Sequence, residues 1–202
     1  MGQIHDYLDI IVKLIIGLSG LYLANSFRRQ IRQKTADGRT RAYSELWKLM
    51  EIANPHRVKD WHVGPLQGPL IYSERMELYS AFTGWYFIDG NGMFLGERTR
   101  RLYLLAKDNF ICPDEELQPR NLFDILGLST LPEEKRLEKR GELSIRQLSL
   151  LRTRMKADLE VYGARFFDEL LPEDLAFLKH CGENPRWKPW RRSPSQTTYS
   201  TG

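Results

Sequence analysis

The chain has 202 residues, of which 42% are hydrophobic and 28% charged, and its formal net charge is +4 at pH 7. These proportions are typical of a folded protein and exclude a chain that is disordered throughout. The only cysteines, Cys112 and Cys181, exclude a disulfide framework and a cysteine-rich zinc site. They favour a reducing compartment, although a single bridge between them stays open.

The first predicted element is an apolar segment over residues 7–24, YLDIIVKLIIGLSGLYLA. Its Leu, Ile and Val residues favour insertion by about 3 to 6 kcal/mol in total, whereas Lys13 opposes it by at most about 3.5 kcal/mol. As a helix the segment reaches about 27 Å, close to the thickness of a hydrocarbon core. We therefore predict a transmembrane anchor in residues 1–27, with a buried core helix as the alternative. Asp6, Asp9 and the lack of a small-residue cleavage motif disfavour a signal peptide.

The charges around this segment predict its orientation. Arg28, Arg29, Arg32 and Lys34 follow the segment, and acidic residues precede it. By the positive-inside rule the residues after the anchor face the cytoplasm. The sequence thus predicts a single-pass protein of the inner (plasma) membrane, with a basic juxtamembrane linker over residues 28–41 that can contact anionic membrane lipid.

One face of the predicted anchor carries charged and small residues. At helical spacing this face contains Asp6 and the five residues of the predicted seam, Asp9, Lys13, Gly17, Gly20 and Ala24. Asp9 and Lys13 form an acid-then-base pair, and Gly20 and Ala24 allow close helix approach. We interpret the face as an association seam for a second copy or a partner helix. The alternative is that Lys13 extends toward the headgroups and the glycines have no role.

The remaining residues predict an all-α cytoplasmic domain of about six helices over residues 42–182. No alternating run is long enough to form a sheet, and apolar residues recur at helical spacing. The predicted helices begin or end at capping residues, prolines and glycines. The first runs from Thr40 to Asn54 after a break at Asp37-Gly38, the second from Ser73 to Asp89, and the third from Glu97 to Asn109. A short fourth helix lies near residues 121–126, and the fifth begins at Pro132, is interrupted at Gly141 and resumes at Ser144. The last runs from Pro172 to Cys181. Residues 183–202 are predicted to be a disordered basic tail.

Two polar groups of residues are candidates for a site. The first is a glycine-rich corner, Asp89-Gly-Asn-Gly92, which precedes a helix and can present backbone N–H groups to an anion. It matches no phosphate-loop motif and follows no strand, so a structural corner is the favoured interpretation. The second is the face of the long later helix that carries Arg152. If Arg152 is buried it needs a carboxylate partner, for which Asp89 and Glu97 are candidates. The predicted ligand-binding or structural cluster is Asp89, Asn91, Arg100, Arg152 and Asp158.

Other chemistry has little support in the sequence. His56 and His62, with Asp60 between them, match no common metal site and are assigned to a surface loop. No catalytic motif is present, and we predict no cofactor and no metal. Trp187 and Trp190 lie among basic residues, which suits a membrane interface, single-stranded nucleic acid or a solvated tail. The preceding anchor favours the membrane over nucleic acid.

Three segments resemble a group of uncharacterised bacterial proteins. They are WYFIDGNGMFL (85–95), ERTR (97–100) and SLLRTRMKADLEVYG (149–163). The group has one N-terminal span, a WY…GNG…FL…TR segment and a later LRT-x-(L/M)-K-x-D segment. The resemblance implies a bacterial inner-membrane setting and supplies no functional residues.

These features favour a non-enzymatic function. The sequence predicts a membrane-anchored cytoplasmic interaction or scaffold protein, whose partner is another protein or a second copy of the chain. The alternative is a ligand-sensing or enzymatic helical domain with a polar site around Asp89, Arg100 and Arg152. An open pocket containing three or more residues of the predicted cluster would favour that alternative.

Overall fold

The computed structural model describes residues 2–53, 70–161, 169–187 and 189–190, and of residues 2–12, 14–16 and 53 it describes the backbone alone. These residues form helices joined by turns, so an all-α fold is confirmed for the part of the chain described. The chain divides into two compact units, residues 1–41 and 42–202. The second unit begins at the residue where the sequence analysis places the start of the helical domain.

Six α-helices form the described structure. They are α1 (Gly2–Leu49), α2 (Tyr72–Thr83), α3 (Glu97–Asn109), α4 (Leu122–Ile125), α5 (Glu133–Asp158) and α6 (Pro172–His180). Shorter turns connect them: a π-turn at Gly84–Ile88 and 3₁₀ turns at Met50–Ala53, Asn91–Phe94, Asp114–Glu116 and Leu128–Thr130.

Helix α1 is continuous through the basic stretch, so the predicted break at Asp37-Gly38 is wrong. A glycine inside a helix costs only about 1 kcal/mol, which the flanking residues offset. The hydroxyl of Thr40, predicted to cap a new helix, instead donates a 3.0 Å hydrogen bond to the carbonyl of Ala36. The predicted linker over residues 28–41 is therefore helical.

The predicted membrane span lies in the first part of α1. Within the described residues we find no helix that combines the length and the apolar character needed to cross a bilayer. The side chains of residues 7–12 and 14–16 lie outside that description.

The core of the second unit forms where α3 and α5 pack along each other and against α2. Its aromatic centre consists of Phe82, Tyr103 and Phe110. The ring centroid of Phe82 lies 5.2 Å from that of Tyr103 and 5.5 Å from that of Phe110. The Tyr103 hydroxyl donates a 2.6 Å hydrogen bond to the carbonyl of Phe82, which satisfies the buried polar group. The second unit also contains a smaller apolar cluster, formed by Leu117, Leu122, Leu128 and Leu143.

Helix α5 runs without interruption, so the predicted break at Gly141 is wrong. Gly141 is buried, and the residues around it are good helix formers that carry the helix through this position. The hydroxyl of Ser144, predicted to start a new helix, donates a 2.9 Å hydrogen bond to the carbonyl of Arg140.

The predicted disordered tail over residues 183–202 needs correction in its first part. Trp190 is 1% exposed, and its indole Nε1 donates a 2.8 Å hydrogen bond to the buried carboxylate of Glu183. A large aromatic side chain that is buried in this way holds the segment against the domain. Residues 191–202 lie outside the described residues.

Candidate functional site

The corner between α2 and α3 carries several of the predicted site residues. Helix α2 passes into the π-turn, which closes when the N–H of Asp89 donates a 3.1 Å hydrogen bond to the carbonyl of Gly84. Gly90 then has φ +69°, a left-handed conformation that favours glycine. The 3₁₀ turn Asn91–Phe94 follows, and Gly96 is the residue immediately before α3. The glycines predicted to break the helix therefore shape this corner.

Asp158, the last residue of α5, connects α5 with the corner and with α1. Its Oδ2 accepts hydrogen bonds from the hydroxyls of Tyr43, at 2.8 Å, and Thr99, at 2.5 Å. Its Oδ1 accepts a 2.8 Å hydrogen bond from Arg154. A partly buried carboxylate with three donors stabilises the fold through charge-assisted hydrogen bonds. Asp158 therefore acts as a structural centre.

Gly96 allows the Asp158 carboxylate to approach the backbone at the start of α3. A Cβ added at Gly96 would lie 3.0 Å from Oδ2 of Asp158. The N–H of Gly96 donates a 3.3 Å hydrogen bond to the Tyr43 hydroxyl, which links the three residues. Burial raises the pKa of Tyr43, the hydrogen bond from Gly96 lowers it, and the charge of Asp158 raises it, so that the pKa lies above its ordinary value. The hydroxyl thus stays protonated and keeps its role as a donor.

The C-terminal segment joins this hydrogen-bond network. Arg154 Nη1 lies 3.7 Å from Oε1 of Glu183, whose other oxygen accepts the hydrogen bond from Trp190. Arg154 thereby bridges two carboxylates, those of Asp158 and Glu183. The predicted tail contributes to the same structural network as the predicted site.

Asn91 and Arg100 lie in the corner and make structural contacts. The amide of Asn91 donates a 3.0 Å hydrogen bond to the Glu45 carboxylate on α1. Arg100 donates a 3.3 Å hydrogen bond to the carbonyl of Gly92. Gly92 is required here because an added Cβ would lie 2.6 Å from the ring of Tyr86. These contacts fix the shape of the turn.

Arg152 is buried, but its guanidinium is directed toward α1 and the turn after it, and not toward Asp89 or Glu97. Its guanidinium donates to the carbonyl of Met50 and lies 5.4 Å from the ring centroid of Trp47. Burial lowers the pKa of Arg152 to about 10, and the charge of Glu51 partly offsets this. Asp89 and Glu97, the predicted carboxylate partners, are both exposed. The Glu97 carboxylate pairs with Arg101.

The predicted cluster therefore does not form one open site. Asn91, Arg100 and Asp158 stabilise the corner between α2 and α3, whereas Arg152 packs under Met50 and Trp47. Asp89 alone of the five lines a groove on the surface.

That groove lies between the end of α1 and the π-turn after α2. It has a volume of about 480 Å³ and is open to solvent; its lining residues are Glu45, Lys48, Leu49, Ala81, Gly84, Trp85, Ile88 and Asp89. Ile88 is 84% exposed, and Phe87 and Met93 nearby in the chain are exposed as well. The indole Nε1 of the buried Trp85 has no hydrogen-bond partner in the described part of the chain. The groove thus offers apolar surface.

The sequence does not predict this groove. In the predicted helix from Ser73 to Asp89, helical spacing places Met76, Tyr79, Phe82 and Tyr86 on one apolar face and leaves Phe87 and Ile88 off it. Two consecutive large apolar residues outside the buried face of a helix were the signal for an exposed apolar surface.

The association seam can be described in part. Lys13, Gly17, Gly20 and Ala24 are exposed on α1. An added Cβ at Gly17 or Gly20 would meet no atom within 4 Å. The side chain of Asp9 lies outside the described residues.

Metal binding finds no support in the described ranges. Within them, no group of three His, Cys, Asp or Glu side chains is arranged to hold a metal ion. His56, Asp60 and His62 lie outside those ranges.

No known protein family, curated protein or solved structure matches this chain. The resemblance to a group of bacterial proteins therefore stays a hypothesis that depends on the segments quoted for it.

Proposed function

We propose that this protein is a membrane-anchored scaffold that binds a partner protein through the groove beside the π-turn. The observation that supports it is the exposed Ile88 in the groove, together with the exposed Phe87 and Met93 close to it in the chain. Exposed apolar patches on soluble domains are typical of interaction sites.

The chemistry of the groove suits a protein segment. Trp85 supplies a large aromatic wall, and tryptophan is enriched among the residues that dominate binding energy at interfaces. Glu45, Lys48 and Asp89 add charges of both signs that can determine the partner's orientation.

Membrane attachment is the second component of the proposal. We assign the anchor to residues 7–24, from their apolar composition and the basic residues that follow. Arg28, Arg29 and Arg32 are exposed on α1, which suits contact with anionic lipid in the inner membrane. The open space at Gly17 and Gly20 is compatible with self-association of the anchor. In this arrangement the second unit faces the cytoplasm.

A ligand-sensing or enzymatic site receives less support. Such a site requires several of the predicted polar residues around one pocket, and Asp89 alone among them lines the groove. The others make structural contacts with carbonyl groups and side chains of the same unit.

Site-specific photocrosslinking tests the partner-binding proposal. The full chain, expressed in its native membrane, carries a photoreactive amino acid at Ile88, where an 84% exposed side chain tolerates replacement. We expect a discrete adduct with one partner protein, which Met93→Asp reduces at least tenfold. Ser129, exposed on the 3₁₀ turn Leu128–Thr130, is the control position. Equal adducts at both positions, or none at Ile88, would contradict the proposal.

The anchor is tested separately by alkaline carbonate extraction. An integral span keeps the full chain in the membrane pellet, whereas release into the supernatant would remove this part of the proposal. Because crosslinking at Ile88 reports only on the second unit, the two results are independent.

A further inference from the structure

The segment that follows α6 is held against the second unit by two buried side chains. Glu183 is 5% exposed and Trp190 is 1% exposed, and Oε2 of Glu183 accepts the hydrogen bond from the Trp190 indole. Between them, the N–H of Trp187 donates to the carbonyl of Asn184, at 3.0 Å, and the N–H of Trp190 donates to the carbonyl of Trp187, at 2.8 Å. These bonds fix the backbone on which Trp187 is carried.

The two tryptophans of this segment have opposite environments. Trp190 packs in the core of the second unit, whereas the side chain of Trp187 is 65% exposed. Arg186, the residue before Trp187, is exposed as well. Its N–H donates a 3.0 Å hydrogen bond to Oδ1 of Asn184, so the backbone that carries this pair is fixed by side-chain and backbone contacts. Trp190 therefore accounts for the attachment of the segment, and Trp187 presents its ring to the surroundings beside a cation.

The same segment contributes the net positive charge of the chain. The sequence has 30 lysines and arginines and 26 acidic residues. No acidic residue lies in residues 184–202, and four cations do: Arg186, Lys188, Arg191 and Arg192. Residues 1–183 therefore carry equal numbers of the two signs, and the formal charge of +4 is that of the segment. A charge concentrated over so few residues favours an anionic partner.

We propose that this segment binds the headgroups of an anionic lipid bilayer through Trp187 and the cations beside it in the chain. Tryptophan favours the headgroup zone, and lysine and arginine are attracted to anionic lipid. Because the backbone at Trp187 is already fixed, little conformational entropy is lost when the ring enters this zone. The inference rests on the proposed membrane attachment, and it adds to the second unit a lipid contact separate from the anchor and from the arginines of α1.

The environments of the two tryptophans favour a bilayer over single-stranded nucleic acid. Proteins that bind single strands stack successive bases on several aromatic rings along a basic groove. Of the two tryptophans here, Trp190 is buried and Trp187 alone is available for stacking. A single aromatic ring among cations is sufficient for a headgroup contact, because lipids gather around it from the plane of the bilayer.

Photocrosslinking to lipid in vesicles that contain the full chain tests the contact. An aromatic photoreactive amino acid replaces Trp187, or replaces the exposed Ser129 as the control position. The vesicles are phosphatidylcholine with or without phosphatidylglycerol, which is anionic. With phosphatidylglycerol present, we expect roughly tenfold more lipid adduct at position 187 than at position 129, and a clear decrease at position 187 when this lipid is left out. Equal yields at the two positions in anionic vesicles would overturn the proposal.

Two matched variants separate this contact from a general effect of net charge. The first replaces by glutamine the four cations of the segment, and we expect the yield at position 187 to fall roughly tenfold. The second replaces by glutamine four exposed cations elsewhere in the second unit, which are Arg98, Arg120, Lys135 and Lys139. It changes the net charge equally and should leave the yield unchanged. An equal fall in both variants would overturn the assignment to the segment.

Two further measurements make the result independent of the anchor and of nucleic acid. Carbonate extraction of the same vesicles reports on the anchor. Release of the chain together with lipid adducts at position 187 would remove the anchor and support the contact, whereas retention without adducts would overturn the contact alone. Added polyuridylate, a single-stranded RNA, should leave the lipid adducts unchanged. Adducts with the RNA in place of lipid would overturn the proposal and assign the segment to nucleic acid.

Discussion

The hydroxyl of Tyr43 donates a 2.8 Å hydrogen bond to Oδ2 of Asp158, which lies 115 positions later in the chain. The same carboxylate accepts a hydrogen bond from Thr99 at the beginning of α3. This one side chain therefore links the end of α1, the start of α3 and the end of α5. Four of the five residues first considered as a ligand site make contacts within the second unit: Asn91, Arg100, Arg152 and Asp158.

The bond between Tyr43 and Asp158 should be visible in the free energy of unfolding. We expect Tyr43→Phe to lower it by about 1 kcal/mol, since Asp158 keeps two other donors, and Asp158→Ala by about 3 kcal/mol, since buried donors lose their acceptor. Urea denaturation of both variants and of the double variant measures their coupling energy. Strictly additive effects would show that the two side chains do not interact.

Gly92 should be intolerant of a side chain, whereas Gly84 should accept one. Gly92→Ala places a methyl group 2.6 Å from the Tyr86 ring, which stacks on Tyr103 at 5.2 Å, so we expect a loss of about 1 to 3 kcal/mol. At Gly84 an added Cβ meets no atom within 4 Å. Gly84→Ala should therefore match or exceed the wild-type Tm. Equal Tm values for the two variants would contradict the packing at Gly92.

Trp190 should contribute to stability although the sequence assigns it to a tail. We expect Trp190→Ala to lower the free energy of unfolding by about 3 to 5 kcal/mol, as for other buried aromatic residues. Trp187→Ala is the matched control, since this side chain is 65% exposed and should change stability by less than about 0.5 kcal/mol. A Trp190→Ala variant as stable as the wild type would place Trp190 in solvent.

Arg152→Ala should destabilise the second unit. The substitution leaves the Met50 carbonyl without its donor and removes the packing against Trp47, so we expect a loss of about 2 kcal/mol. Arg98, exposed on α3, provides the control substitution to alanine. The difference in Tm between these variants by circular dichroism is the measurement, and its absence would argue against a buried guanidinium.

Cys181 should be protected from thiol reagents and should make stability depend on alkaline pH. Its pKa is raised from 9.0 to about 12, mainly by burial and also by the charge of Glu183, while the charge of Arg101 acts in the opposite direction. The folded state therefore binds the proton more tightly than the unfolded state. The stability from this group is complete below pH 9 and declines as the pH rises toward 12.

The measurement compares wild type with Cys181→Ala across that pH range. We expect the wild type to lose stability more steeply, and we expect a thiol reagent to modify Cys181 at pH 8 only after unfolding. Rapid modification of native Cys181, at the rate found for an exposed thiol, would show that the side chain is accessible.

The sequence predicted the helices where local signals determine them. The helix from Glu97 to Asn109 has the predicted bounds, and the last helix begins at Pro172 as expected. In both cases the apolar spacing and the residues at the ends agree. Gly38 and Gly141 were predicted to interrupt helices, but neither does. The cost of one glycine is small, and whether it breaks a helix depends on flanking residues and packing.

The hydrogen-bond partners of the polar residues could not be predicted from the sequence. The position of Arg152 among apolar residues indicated its burial, but the Met50 carbonyl that accepts its hydrogen bond lies 102 positions away. Helical periodicity identifies the buried face of a helix and carries no information on which distant backbone group meets it. The charge of Asp158 made it a candidate for the ligand site. Its role in the fold depends on the hydrogen bonds that it accepts from Tyr43 and Thr99.

The distance in sequence between Tyr43 and Asp158 has a consequence for biosynthesis. A ribosome adds about 5 to 20 residues per second, so the 115 positions between the two take roughly 6 to 23 seconds to synthesise. During that interval the buried face of α1, with Ala42, Tyr43 and Leu46, has no α5 to pack against. Until Asp158 has emerged the nascent chain therefore exposes apolar surface, and exposed surface of this kind makes a partly folded chain prone to aggregation.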